Sequence, residues 1–250
     1  MMRLLLTFLL FFALPLKAEE VVLGLSQDTI SIDANFSGSE ILIYGAIKRE
    51  TEIPEELLQV IITVAGPSQP VTVRKKDRRF GIWVNTEAVE VDSAPSFYAV
   101  ATSHEWPLVI SDTEDLRHKI SVERAIRAVG VAADDPQRFT QALTRIRTSE
   151  DKYQQRDFEV NLRQQTLFDT AIKLPANLTE GAYKTRVFLT RNKEVISVYE
   201  TEIEVRKVGL ERWLFTLSRQ QPLLYGLMSL AIAIAAGWGA SAAFQILRRR

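Results

Sequence analysis

The sequence contains no cysteine, and histidine occurs only twice, at His104 and His118. Without cysteine, a disulfide framework, a thiol nucleophile and a cysteine-ligated metal site are all excluded. The two histidines stand far apart in the chain, and neither belongs to an H-x-x-x-H or H-E-x-x-H pattern that would place two metal ligands on one helix face. The fold must therefore be stabilised by packing, and no metal or cofactor is predicted.

Motifs for common enzyme chemistries are also missing. The sequence has no G-x-S-x-G nucleophile elbow, no phosphate-binding P-loop, no G-x-G-x-x-G fingerprint and no D-x-D-x-D-G calcium loop. Acidic residues cluster twice, and they favour helix N-termini, with a cation site as the alternative. These residues are Asp112, Glu114, Asp115, Asp134 and Asp135. We predict a protein that is not an enzyme, the alternative being an active site assembled from distant residues.

Charge is absent from one long segment, Gln220 to Leu247. As a helix with a rise of about 1.5 Å per residue, Leu223 to Leu247 would span roughly 37 Å, more than the ~30 Å hydrocarbon core of a bilayer. We predict a transmembrane helix over residues 222–247. Three arginines follow it, and the positive-inside tendency places this tail, residues 248–250, in the cytoplasm. They are Arg248, Arg249 and Arg250.

Residues 1–18 resemble a secretory signal peptide. Arg3 precedes an apolar run, and the small residue Ala18 precedes two glutamates, so we predict cleavage after Ala18, with an uncleaved signal anchor as the alternative. The following segment is then exported. It holds all 31 acidic residues and 26 of the 31 basic ones, so its net negative charge argues against nucleic acid as a partner.

Short runs rich in valine and isoleucine indicate strands at both ends of residues 19–206. The earlier runs are Val21–Leu25, Thr29–Ile32, Glu40–Lys48, Leu57–Ala65, Val71–Arg74, Phe80–Val84, Val89–Val91 and Phe97–Ala101. The later runs are Phe158–Leu162, Leu167–Ile172, Tyr183–Thr190 and Val195–Val205. Between them, Ser111 and Glu114 have the spacing of a capping box, and the pair Asp135-Pro136 is a second helix start. We predict a helical insertion over residues 111–155.

This order predicts a mainly β protein: an immunoglobulin-like β-sandwich over residues 19–206 with a helical insertion, plus one C-terminal transmembrane helix. Tyr183 precedes an alternating strand, as does the tyrosine that closes the last corner of such sandwiches. The four later strands are too few for a sandwich, so we expect them to complete sheets begun before residue 104. Two small β domains in tandem are the alternative.

Residues 207–221 mix apolar and charged side chains, which predicts an amphipathic helix lying at the outer membrane interface. Continuation of the membrane helix is the alternative. Trp213 and Tyr225 are the predicted aromatic residues of this interface, because tryptophan and tyrosine favour the headgroup level. The lipid bilayer is thus one predicted partner.

Two sets of residues predict further contacts. In the transmembrane helix, small residues recur every fourth position, which allows close approach of another helix, from an integral membrane protein or a second copy. One register contains Ala235, Gly239 and Ala243, and the other contains Ala233, Gly237 and Ser241. A basic run favours a solvated hairpin loop, with anionic lipid or an acidic partner as the alternative. Its members are Arg74, Lys75, Lys76, Arg78 and Arg79.

Several stretches together resemble one family, the alphaproteobacterial transmembrane proteins labelled Alph_Pro_TM. They are VVLGLSQ from Val21, GSEILIYG from Gly38, GIWVN from Gly81, PSFY from Pro95 and VRKVGLER from Val205. The resemblance covers essentially the whole mature chain. It implies a bacterial inner-membrane protein with a periplasmic ectodomain, and it carries over no catalytic residue. The family is associated with neighbouring genes for sulfite-exporter-type permeases, which implies a permease as the partner.

The function predicted from these observations is that of a non-enzymatic, single-pass inner-membrane protein. It would serve as an accessory subunit of a permease or another integral membrane complex, with residues 19–206 as a periplasmic interaction domain. A membrane-anchored module that binds a periplasmic ligand or protein is the alternative.

Overall fold

The computed structural model describes residues 19–33, 36–49, 52–128 and 136–248. The predicted signal peptide, Asp134, Asp135, Arg249 and Arg250 lie outside the described residues. The chain divides into two compact units. The first comprises the described residues of Met1–Ile30 and Ser37–Val205, and the second those of Ser31–Phe36 and Arg206–Arg250. The protein is mainly β, with several sheets and one C-terminal helix that could cross a membrane.

Strands occupy both ends of the first unit. Those before the helices are β1 Glu20–Leu25, β2 Thr29–Ile32, β3 Ser39–Lys48, β4 Leu58–Ala65, β5 Ser68–Arg79, β6 Ile82–Pro95 and β7 Tyr98–Thr102. Those after the helices are β8 Tyr153–Arg156, β9 Asn161–Arg163, β10 Leu167–Leu174, β11 Gly181–Arg191 and β12 Glu194–Lys207. Most of the predicted runs coincide with these strands.

The strands form a four-stranded sheet in the order β1-β3-β10-β9, a six-stranded sheet in the order β2-β12-β11-β4-β7-β8, and a two-stranded β5-β6 hairpin. Neighbours in the larger sheets pair antiparallel where a register is defined, except β7 and β8, which are parallel. Each larger sheet combines strands from before and after the helices. Two tandem β domains with separate sheets are therefore not formed.

Strand β4 lies inside the six-stranded sheet and is buried on both faces. Ile61, opposite Phe188 of β11, packs with Phe139 on the face that carries the helices. Val60 and Ile62 point to the other face and are also fully buried. A strand covered on both faces has a nearly continuous apolar sequence, which explains the run that predicted it.

Helices lie between β7 and β8, and their limits differ from the prediction of residues 111–155. They are α1 Trp106–Val109, α2 Asp112–His118, α3 Val122–Ala125 and α4 Pro136–Ser149. The helical segment starts earlier because the backbone N–H of Trp106 donates to Asp157 Oδ2 at 3.2 Å and a proline follows in the first turn. It ends earlier because Tyr153, only 2% exposed, belongs to β8 beside Tyr98.

Within the predicted helical insertion, α2 and α3 are separate helices. Ser111 Oγ accepts from the Glu114 N–H at 3.4 Å, as the capping spacing predicts. At the other end Lys119 is left-handed, with φ 52°, and Asp115 Oδ1 accepts from the next two backbone N–H groups at 3.1 and 2.7 Å. The Asp115 side chain stabilises this turn, so the helix stops there.

In the second unit, α5 comprises Leu210–Gln220 and α6 comprises Pro222–Arg248. Gln221 separates them with a non-helical φ of −137° and ψ of 65°, and proline is favourable at the first position of the new helix. The amphipathic segment is thus a separate helix, and the long helix matches the predicted range 222–247 within one residue.

Candidate functional site

Helix α6 is exposed along its described length. The stretch Pro222–Ser241 is long and apolar enough to cross a bilayer, and none of it is buried inside the protein. Leu223 is 83% exposed and Trp238 is 78% exposed. Side chains of this kind are stable in water only at a large cost, since each buried leucine or phenylalanine gains about 1.5–3 kcal/mol relative to exposure. The helix therefore needs lipid or another apolar partner.

The predicted helix-contact residues lie on this exposed surface. A side chain built on Gly237 or Gly239 would meet no atom within 4 Å, so the protein itself does not occupy the space beside either glycine. Ala235 lies one turn before Gly239 on the same helix face. Ala243 also belongs to α6, but its side chain is outside what the structure describes.

The predicted interfacial residues flank the start of the membrane helix. Trp213 lies in α5 and is 53% exposed, while Tyr225 lies in the first turn of α6 and is 37% exposed. Arg219 stacks over Phe215 of α5 at 5.7 Å, which brings a cation beside an exposed aromatic ring. Arg248 is the last residue of α6. These residues have the types expected at a headgroup region, although no described contact assigns them to it.

The two histidines have different neighbours. The ring of His104 packs against Phe158 at 4.9 Å, and its Nδ1 accepts from the Glu105 backbone N–H at 2.9 Å. His118 Nε2 lies 3.5 Å from Glu114, and its ring meets the edge of Phe188. Among the described residues, no group of three or more His, Asp or Glu side chains could hold a metal.

The acidic residues of α2 have structural contacts. Glu114 is buried; it pairs with Arg117, and its Oε2 accepts from the Val195 backbone N–H at 3.2 Å, which fixes α2 to β12. Asp115 closes the turn after the helix. Within the described residues, no group of three or more such side chains could hold a cation. Glu114 is engaged by Arg117 and β12, and Asp115 by the turn.

A buried polar network holds the turn between α2 and α3. Arg186 donates to the carbonyl oxygens of His118 and Lys119 at 2.9 and 3.1 Å, and the Tyr98 hydroxyl donates to that of Ile120 at 2.7 Å. Burial raises the pKa of Tyr98, although the charge of Arg186 opposes the shift. Both side chains are therefore engaged by backbone acceptors of this turn.

The first described residue is held by two arginines. Glu19 Oε1 accepts from Arg49 Nε at 2.6 Å and from Arg191 Nη2 at 3.0 Å, and all three side chains are at most 16% exposed. Burial opposes ionisation of Glu19, but the hydrogen bonds and charges of Arg49 and Arg191 outweigh it and lower the pKa. This cluster ties the start of β1 to the ends of β3 and β11.

The basic run lies at the end of the β5-β6 hairpin. The strands pair as far as Arg79 and Ile82, and the turn residues Phe80 and Gly81 have φ values of 50° and 85°. Positive φ at both central residues is the type I′ geometry whose twist matches a hairpin. The basic run thus lies on a regular hairpin with one tight turn, as the predicted solvated hairpin implies.

Sequence reasoning missed the apolar turn of this hairpin. Phe80 is fully exposed, Ile82 is 64% exposed and Trp83 is 69% exposed. These residues were predicted as a strand, and strand residues of this type are expected to be half-buried. The signal that could have identified them is their position directly after a run of five cations, which is itself expected to be solvated.

A groove of about 280 Å³ adjoins the basic run. Its lining combines cations from β5 and α4 with apolar side chains. The cations are Arg74, Lys75, Lys76, Arg138 and Arg145, and the apolar residues include Val73, Phe139 and Ile146. An anionic group with an attached apolar portion is complementary to this lining.

A family model described as "Putative transmembrane protein (Alph_Pro_TM)" matches residues 20–246. The match begins at β1 and extends through most of α6, so it includes both units. A comparison with curated proteins gave no match.

Proposed function

Because this chain belongs to the transmembrane protein family Alph_Pro_TM, we propose that it is a non-enzymatic, single-pass inner-membrane protein whose membrane helix attaches it to an integral membrane complex. The first unit lies in the periplasm as an interaction domain, and the C-terminus lies in the cytoplasm. The partner in this proposal is a permease or another integral membrane protein, and self-association through the same helix is the alternative.

One observation carries this proposal: none of the stretch Pro222–Ser241 is buried by the described residues, and the C-terminal half of α6 has a face of small residues. With about 100° per residue, Ala235 and Gly239 lie on one side of the helix. Gly237 lies on the opposite side, in the second register with Ala233 and Ser241. The register of Gly239 is the proposed contact face, and the register of Gly237 is the alternative.

Glycine in this position is otherwise unfavourable. In soluble helices it costs roughly 1 kcal/mol relative to alanine, and it gives lipid less surface to contact than leucine does. Close helix packing supplies a physical reason for its presence, because small residues let two backbones approach and gain dispersion contacts. A helix that served as an anchor alone gains nothing from this face.

For the first unit we propose an immunoglobulin-like sandwich formed by the two larger sheets. Strand β3 supports a layered arrangement, because Ile41 and Ile43 are fully buried while the alternate residue Tyr44 is 47% exposed. The hydroxyl of Tyr183 donates to the Thr179 carbonyl oxygen at 2.9 Å, which is the contact of a tyrosine corner. A crystal structure in which the buried faces of the two sheets do not face each other would contradict this proposal.

The test of the helix proposal is affinity purification from detergent-solubilised membranes. We expect Gly239→Leu to reduce the recovery of the co-purifying membrane protein, or of a second tagged copy, at least several-fold. Gly237→Leu adds the same side chain to the other face, so a loss confined to that variant would assign the contact to the second register. Equal recovery with both variants and the wild type would show that α6 is an anchor only.

Topology needs its own test. A reporter that is active only in the periplasm should work when fused after Val205 and should not work when fused after Arg250. The reverse pattern would overturn the proposed orientation and with it the periplasmic assignment of the first unit.

A further inference from the structure

The β5-β6 hairpin ends in an apolar turn that projects three large side chains into solvent. These side chains are not packed into the core. They are Phe80, which is fully exposed, Ile82, which is 64% exposed, and Trp83, which is 69% exposed. We propose that this turn inserts into the headgroup region of an anionic lipid bilayer. The inference goes beyond the helix-mediated attachment proposed above and rests on a different part of the chain.

The charges beside the turn favour an anionic surface. Five cations, from Arg74 to Arg79, face only two carboxylates in the distal hairpin, Asp77 and Glu87. Glu87 pairs with Lys75 at 3.0 Å, and Asp77 accepts from the backbone N–H of Arg78 at 2.8 Å. The hairpin is thus locally positive on a chain segment whose net charge is negative. This contrast directs the hairpin, and not the rest of the unit, toward an anionic surface.

The combination of residue types selects a bilayer over an acidic protein. Tryptophan and phenylalanine at a turn suit the boundary between headgroups and acyl chains, and arginine beside them can bind lipid phosphates while its stem stays in the apolar layer. An acidic protein partner would account for the cations but would leave the fully exposed Phe80 without a role. Insertion places both kinds of side chain in a favourable environment.

The base of the hairpin holds the turn in position. Val73, Val89 and Val91 are buried in the same cluster as Phe139 of α4, whereas every residue from Lys76 to Trp83 is exposed. The backbone of the distal part is paired across the hairpin as far as the turn. The outward-facing backbone groups of the two strands need water, so the proposed insertion reaches only the hydrated headgroup level, and it requires no unfolding.

The groove between β5 and α4 extends the same basic surface. Arg74 and Lys76 line it together with Arg138 and Arg145, beside apolar residues. A phospholipid matches this lining, with the phosphate on the cations and the start of the acyl chains on the apolar side chains. Because α6 tethers the chain to the bilayer, even weak binding of this kind is favoured by a high effective concentration.

The experiment uses the absence of cysteine, which lets a single introduced cysteine carry a fluorophore. The full-length Ile82→Cys variant, labelled at the turn, is reconstituted into phosphatidylcholine vesicles with or without phosphatidylglycerol. Lipids with a quencher near the headgroup should quench the label only in the anionic vesicles. A Thr72→Cys variant, labelled at an exposed position nearer the base of β5, is the matched control and should not be quenched in either.

Charge removal gives the second measurement. Arg78→Gln and Arg79→Gln are added to the Ile82→Cys variant. The equilibrium constant for insertion should fall on the order of 30-fold, since each cation near an anionic membrane contributes about fivefold to it. Inorganic phosphate should have no more effect than chloride at equal ionic strength, which separates a lipid surface from free phosphate.

A label at the turn that stays unquenched in anionic vesicles would overturn the proposal. The same holds if quenching is equal with and without anionic lipid, or is unchanged by the arginine substitutions. Quenching that appears only after addition of a membrane protein extract would indicate a protein partner and would also contradict the proposal. Purified protein and lipid suffice, so failure here is distinct from failure of the helix proposal.

Discussion

Strand β4 and helix α6 are both nearly continuous apolar segments, yet the protein treats them in opposite ways. In β4, Val60, Ile61 and Ile62 are all fully buried by neighbouring strands and helices. In α6, Leu223 and Trp238 are largely exposed, and the stretch Pro222–Ser241 has no buried part. The difference lies in what covers the apolar side chains. Neighbouring strands and helices of the same chain bury β4, whereas α6 needs neighbours in the membrane.

The same distinction separates the base of the β5-β6 hairpin from its turn. Val91 is fully buried in the core, and Phe80 is fully exposed. Since an exposed apolar side chain contributes nothing to folding, the exposed groups of α6 and of the hairpin turn are free to contribute to binding. Substitutions in the two kinds of region should therefore affect different properties.

The largest expected difference in stability is between alanine substitutions at two phenylalanines, one buried and one exposed. Phe188→Ala should lower the free energy of unfolding by about 3–5 kcal/mol, because it leaves a cavity in a fully buried cluster. Phe80→Ala should change it by less than about 0.5 kcal/mol, because the side chain has no packing to lose. Chemical denaturation of the full-length protein in detergent measures both. Similar losses in the two variants would contradict the distinction.

The second largest effect is expected from alkaline pH, which should lower the free energy of unfolding through a buried tyrosine. Burial raises the pKa of Tyr153 to about 12, above the ordinary value of 10. Between those values the unfolded chain loses the proton and the folded protein keeps it, so stability should fall as pH rises from 10 to 12, by roughly 2–3 kcal/mol in total. Tyr153→Phe should flatten this part of the stability profile. An unchanged slope would show that other groups cause the alkaline loss.

Two neighbouring cations give an intermediate effect. Arg49→Gln should destabilise the protein by about 1.5–3 kcal/mol, since it removes a charged hydrogen bond from the nearly buried Glu19. Lys48→Gln should cost less than about 0.5 kcal/mol, because its pair with Glu20 is 3.4 Å long and mostly exposed. The lowered pKa of Glu19 also predicts that the Arg49 contribution is present above the ordinary glutamate pKa and disappears as pH falls through the lowered value. Equal losses in the two variants at neutral pH would contradict this account.

The smallest effect is expected from the tyrosine corner. Tyr183→Phe should lower the free energy of unfolding by about 1 kcal/mol, because it removes the hydrogen bond to the Thr179 carbonyl and keeps the packing of the ring. Tyr44→Phe is the matched control at a half-exposed position and should be close to neutral. A Tyr183 variant as stable as the control would remove the corner contact from the account of the fold.

Local patterns predicted much of the strand order, and the failures have physical causes. The apolar run of β4 and the alternation of β11 depend on burial, which leaves a clear trace in sequence. Strand β8 was assigned to the helical insertion because Tyr153-Gln154-Gln155-Arg156 has no alternation, and only parallel pairing with β7 makes it a strand. Phe158 was predicted to begin a strand but has φ 65°, since its ring packs on His104 outside any sheet.

The hairpin was divided into three short runs because its middle is charged. Pairing across β5 and β6 stabilises Arg74 to Arg79 as a strand despite their low strand preference. Of the candidate sites, the membrane helix α6 was predictable from composition alone, because its long uncharged segment is visible in the sequence. The exposure of Phe80 and the groove beside α4 were not, because both depend on which long-range neighbours are present.

The most direct test of the central claim is position-resolved photo-crosslinking along α6 in the native membrane. Ile232 precedes Gly239 by seven residues and shares its face, and Leu230 precedes Gly237 in the same way. The two side chains are 60% and 59% exposed, so they are matched in the structure. A photoreactive residue should give a specific protein adduct at position 232 and much less at position 230. Equal labelling at both positions, or adducts with lipid alone, would contradict a helix that recognises a protein partner.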